Sequence, residues 1–171
     1  MPSAALERHP AVPCAALRGI EASVSRAPGG SLKVLYRLDG EIDRLRIPPA
    51  RSPRSARRLW EHTCCELFVA RELPGYREFN FSPSGEWAGY AFARYREGAP
   101  LAVPDPGINV TRDAGWLELS ATIAENHPGK IRIGLCAVIE DEAGALSYWA
   151  LRHSPGKPDF HHADAFELTL E

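Results

Sequence analysis

Glu66 and Glu78 fall in neighbouring strand-patterned segments and could form a carboxylate pair. Glycoside hydrolysis needs such a pair roughly 5–10 Å apart. Asp159, His161, His162 and Asp164, with His153 nearby in sequence, are residue types that ligate divalent metals. Adjacent His161 and His162 diverge if the chain is extended, so the cluster reads as a hydrogen-bonded loop pinning the C-terminal segment, and no metal is expected. Ser82-Pro83-Ser84-Gly85 lies in a hairpin turn rather than at a strand-to-helix elbow, and no G-x-S-x-G, P-loop or H-E-x-x-H occurs. The four cysteines, Cys14, Cys64, Cys65 and Cys136, form no C-x-x-C pair and read as reduced thiols. These residues therefore suit binding better than catalysis, with a glycoside-acting enzyme using Glu66 and Glu78 as the alternative.

The elements that must position them are almost all strands. Apolar and polar residues alternate through Leu17–Arg26 and Leu32–Leu38, with Gly29-Gly30 between them as a hairpin turn. Strand patterns recur at 64–70, 76–82, 86–96, 108–112, 116–123, 131–140, 146–151 and 166–170, bounded by Gly, Pro, Asn or Asp. Repeated short strands predict an all-β, two-sheet antiparallel sandwich, jelly-roll-like. One domain accounts for 171 residues, with 1–16 as an extended N-terminal segment. The stretch Glu41–Leu59 carries six arginines and three prolines and reads as a long basic loop; Arg57 or Arg58 could hold an anionic ligand.

Strand parity predicts a working face. In Trp116–Ile123 the apolar set is Leu117, Leu119, Ala121 and Ile123, which leaves Trp116, Glu118, Ser120 and Thr122 opposite. The same rule puts Glu66 opposite Leu67, and Glu78 and Asn80 opposite Phe79 and Phe81. If these strands are neighbours, one sheet presents Trp116, Glu118, Glu66, Glu78 and Asn80 together. An aromatic ring beside carboxylates and an amide suits a sugar, whose C–H face stacks on the ring while its hydroxyls bond the polar groups. Trp60 and His161 mark the next end of the sandwich to consider, with Arg58 close to Trp60 in sequence.

The block Leu59-Trp60-Glu61-His62-Thr63-Cys64-Cys65-Glu66-Leu67-Phe68, followed by Tyr76–Trp87, resembles the DOMON-like domains related to family 9 carbohydrate-binding modules. Gly115-Trp116-Leu117-Glu118 is similar to a glycine-tryptophan-any-glutamate strand of that family, and the segment from Tyr148 to Phe166 resembles the C-terminal segment of a bacterial subgroup of it. The resemblance implies an immunoglobulin- or DOMON-like β-sandwich with a ligand surface on one sheet, and ligands that in the wider superfamily are sugars or haem. Methionine–histidine haem ligation has no place here, because the single methionine is Met1, and no cofactor is expected.

A net charge of −2 argues against nucleic acid as partner. Neither a secretory leader in Met1–Pro13 nor an apolar membrane span is visible, so a cytoplasmic location is the expectation. The expected function is non-catalytic saccharide binding, with the enzyme above or a protein-interaction sandwich without small ligand as alternatives; oligomeric state is not encoded legibly.

Overall fold

A computed structural model describes residues 3–171. Among these residues twelve strands form: β1 (Ser3–Arg8), β2 (Leu17–Arg26), β3 (Leu32–Gly40), β4 (Cys64–Ala70), β5 (Tyr76–Phe81), β6 (Trp87–Arg94), β7 (Glu97–Pro100), β8 (Asn109–Arg112), β9 (Trp116–Ile123), β10 (Ile131–Glu140), β11 (Leu146–Ala150) and β12 (Leu168–Leu170). No α-helix occurs among the described residues, only four 3₁₀ turns. The all-β sandwich expected from the alternation is what the chain adopts.

The strands run in the order β7-β6-β5-β4-β10-β11-β1-β2-β3-β9-β8, antiparallel throughout, with β12 on β10. β1 joins the two sheets. Its Ser3–Leu6 half pairs with β2 and its Glu7–Arg8 half pairs with β11. The first sheet is therefore β1-β2-β3-β9-β8 and the second β7-β6-β5-β4-β10-β11. Within the N-terminal segment expected to be extended, Ser3–Arg8 is thus a strand at the sheet junction, where pairing runs through backbone groups and needs little side-chain alternation.

Inward residues of both sheets close one core, including Ile20, Val34, Tyr36, Leu38, Leu117 and Leu119 from the first and Leu67, Phe79, Phe81, Ile133, Leu135 and Ile139 from the second. Fully buried Tyr36 donates its hydroxyl to the Glu66 carbonyl across this core at 2.6 Å, which satisfies the phenol and ties the sheets together.

The outer face of the second sheet is not bare. Phe68, Tyr76, Cys136, Val138 and Ala150 form a second apolar cluster with Phe160, Ala165 and Phe166. Those last three belong to residues 151–167, a strap that crosses the sheet between β11 and β12. Gly134 lets it lie close, since a Cβ there would stand 3.0 Å from Phe166 and 3.3 Å from the Ala165 carbonyl. Arg132 clamps it by donating to the carbonyls of Ala163 and Phe166. Every residue of β4 is consequently buried, on both faces.

Candidate functional site

Between this strap and the turn Leu59–Glu61, which packs on β5, the outer face of the second sheet opens into a cleft of about 350 Å³. Glu66 and Glu78 form its floor, and Tyr90, Phe92, Val138 and Tyr148 rise from the flanking strands. The strap supplies Pro158, Phe160 and His161, the β6–β7 turn supplies Arg96, and Trp60 stands at the rim. Trp60 is 42% exposed and meets Tyr90 edge-on at 6.1 Å between centroids. An aromatic cleft with a few convergent polar groups is the usual form of a small-molecule site.

The floor is acidic and poorly compensated. Glu66 and Glu78 sit diagonally on paired strands, Glu66 opposite Asn80 and Glu78 opposite both Phe68 and Tyr90. Burial pushes the Glu66 carboxyl well above the usual carboxylate range, and the nearby Glu78 adds to the shift, with the Cys64 thiol opposing it. Burial likewise lifts Glu78 to about 7, against the pull of Asn80 and Arg96. The thiol approaches Glu66 Oε1 at 3.8 Å. At neutral pH the pair retains part of its protons.

His161 is the companion of Glu78. Its Nε2 lies 3.5 Å from Glu78 Oε2, and its Nδ1 lies 2.8 Å from the Tyr76 hydroxyl. That hydroxyl accepts the Arg96 backbone N–H at 3.0 Å, and Nδ1 is the acceptor its own proton reaches, which assigns the neutral ring's proton to Nε2, facing Glu78. Burial, aided by the Arg96 charge, drops the His161 pKa to about 4 and keeps the ring neutral. Arg96 itself is turned outward: it donates to Asp159 at 2.9 Å and to the Tyr95 hydroxyl, and Tyr95 in turn donates to Asp159. The Asp159–Asp164 stretch is thus a hydrogen-bonded latch, in which His162 Nδ1 accepts the Asp164 N–H. No group of three or more metal-ligating side chains converges among the described residues.

The remaining expected residues part company with this cleft. β9 pairs with β3 and β8, not with β4 or β5, so Trp116 and Glu118 lie on the outer face of the first sheet. The single face carrying both sets does not form, because parity fixes which side of a strand a residue takes and not which sheet the strand joins. There Arg37 bonds Glu118 at 2.8 Å and covers the Trp116 ring at 5.0 Å, a ladder across β3 and β9. Asn80 does share the outer face with the glutamates, but it is fully buried off the cleft wall, close to Glu78 without hydrogen-bond geometry, and its amide has no partner. Arg58 faces a second, larger groove of about 770 Å³ on the far side of the loop, bound to Glu61. Arg46, Arg54 and Arg58 there are paired with Glu140, Glu86 and Glu61. Trp87 and Trp149 are buried, their indoles bonded to the Val103 carbonyl and the Ser147 hydroxyl.

Of the cleft residues, Tyr90, Phe92, Arg96, Tyr148, Pro158 and Phe160 were not singled out from sequence. The short Ser82–Glu86 turn would have placed Tyr90 and Phe92 on the Glu78 face by register, whereas the strap residues carry no such signal. Trp116→Ala should cost about 1 kcal/mol or less of stability and leave ligand binding at the parent value, as read by chemical denaturation and titration.

With this geometry the class is clear: the fold is an all-β, two-sheet antiparallel sandwich. No protein-family profile matches the chain, and no curated sequence does. Among solved structures it is similar to a Bacteroides uniformis protein provisionally described as carbohydrate-binding, with TM-score 0.66 and 12% identity over 96% of this chain and 83% of that one. A family 9 carbohydrate-binding module from Caldicellulosiruptor kristjanssonii, in complex with glucose, aligns at TM-score 0.45 and 10% identity over 85% of this chain and 72% of that one.

Proposed function

We propose that this chain is a non-catalytic saccharide-binding module of the DOMON-like type, and that its ligand sits in the cleft between the strap and Trp60. The observation that carries the reading is a half-exposed tryptophan at the rim of an aromatic cleft with two buried carboxyls on its floor. A sugar ring covers its C–H face on the indole and offers its hydroxyls to Glu66 and Glu78, which lack other strong partners. The description of the Bacteroides fold neighbour points the same way. Because Trp60 contributes little to the core, Trp60→Ala should lower saccharide affinity by roughly 1–3 kcal/mol and leave the melting temperature nearly unchanged. Calorimetric titration against a saccharide panel, beside a thermal melt, decides the matter. A variant that binds as the parent does, or a parent that binds no saccharide, removes the proposal and leaves a protein-interaction sandwich.

A further inference from the structure

We propose that the ligand of the cleft is a cationic amino sugar, its ammonium group seated against Glu66 and Glu78 and its ring on Trp60. This rests on the saccharide reading above and adds the charge of the ligand. Both residues are buried, at 3% and 5% exposure, yet they line an open cleft. Among the described residues neither is paired with a cation. The Glu66 carboxyl meets the Cys64 thiol at 3.8 Å, and that of Glu78 meets a neutral imidazole at 3.5 Å and has the Asn80 amide nearby, so every polar neighbour in reach is uncharged. Arg96, the one guanidinium lining the cleft among the described residues, is committed to Asp159 and Tyr95.

A buried carboxylate without a partner is costly, and the pair relieves that cost by keeping protons. A ligand ammonium would relieve it instead, by charge-assisted hydrogen bonds in a water-poor site. The walls favour the same occupant, because Trp60, Tyr90, Phe92, Tyr148 and Phe160 form an aromatic lining of the kind that attracts organic cations. A neutral sugar gains from the rings alone and leaves the acidic floor unanswered.

Seating the ammonium must expel a proton from the pair. The other titratable groups facing it are Cys64 on β4, Tyr76 on β5, Tyr90 on β6, Cys136 on β10, Tyr148 on β11, His161 on the strap and Arg96 in the β6–β7 turn. Burial pushes the Cys64, Cys136, Tyr76 and Tyr90 pKa values upward and the His161 value downward, so these five do not take part near neutrality, and the guanidinium keeps its charge. The proton therefore comes from the glutamates, and amine affinity should rise as pH increases through about 7, until the amine itself loses its charge.

The test is calorimetry at neutral pH with glucosamine, galactosamine and mannosamine, beside the parent hexoses and the N-acetylated sugars, on the unmodified chain and on Glu66→Gln and Glu78→Gln. One amine should bind about tenfold or more tighter than its hexose and its N-acetyl form, and each glutamine variant should bring it back to the hexose value. On the unmodified protein the heat of amine binding should also vary with the ionisation enthalpy of the buffer, which reads proton release without relying on any variant. Hexoses binding as tightly as their amines, or amine binding without proton release, would overturn this inference and leave the saccharide reading intact. No binding by any sugar overturns both, whereas amine binding with no hexose binding sustains the charge argument.

Discussion

Replacing Glu66 and Glu78 together by glutamine should make the protein more stable, by an amount that grows with pH. Both carboxyls have folded-state pKa values above their unfolded ones, so the native state binds more protons and loses stability as pH rises through that interval. For Glu78 the interval runs from about 4.5 to about 7, which corresponds to a cost on the order of 3 kcal/mol above it. Glu66 adds a further cost of the same sign. Glutamine keeps the shape and the hydrogen-bonding capacity of the protonated acid and has no charged form to bury. The expected result is equal stability of variant and parent near pH 4.5 and a higher melting temperature for the variant at about pH 8. His161 shifts the other way, its lowered pKa favouring the folded state as pH rises from about 4 to about 6.5. That contribution is common to both proteins and drops out of the difference. Denaturant melts at several pH values check the prediction, and a difference independent of pH would mean that the pair is not held protonated by burial.

Phe166→Ala should be the most damaging single change outside the main core. The ring is 1% exposed, stacks on Phe68 at 5.7 Å between centroids and meets Tyr76 edge-on at 5.4 Å. Truncation should cost about 3–5 kcal/mol, by lost transfer free energy and by the cavity left between strap and sheet. Because the strap carries Pro158, Phe160 and His161, saccharide affinity should fall with it, and residues 151–167 should become the first site of proteolytic cleavage. Equal cleavage of variant and parent, with unchanged binding, would show that Arg132 and Asp159 hold the strap without the phenylalanine.

Some of this was legible in the residues. The ten expected strands all occur, because alternation of apolar and polar residues is a direct consequence of which side of a strand meets the core. Parity also assigned Glu66, Glu78 and Asn80 to one face, and the structure brings those three onto adjacent strands. It failed for Trp116 and Glu118 for a definite reason: the alternation in β9 reports a buried side and is silent on whether the other side belongs to the first sheet or the second. The short β7 and the junction strand β1 escaped notice because edge and junction strands are held by backbone pairing more than by patterned side chains.

What the sequence by itself determined is the all-β class, the strand positions and the face on which each side chain stands, all of which follow from nearest-neighbour periodicity. The tertiary structure alone decided that the outer face of the second sheet is roofed. A strap roughly 70–100 residues further along the chain than the glutamates closes over them, and a loop preceding them brings Trp60 to the rim. That enclosure turns two ordinary outward glutamates into buried acids. Burial is a property of long-range contacts, and local sequence carries no record of which distant segment will exclude the water.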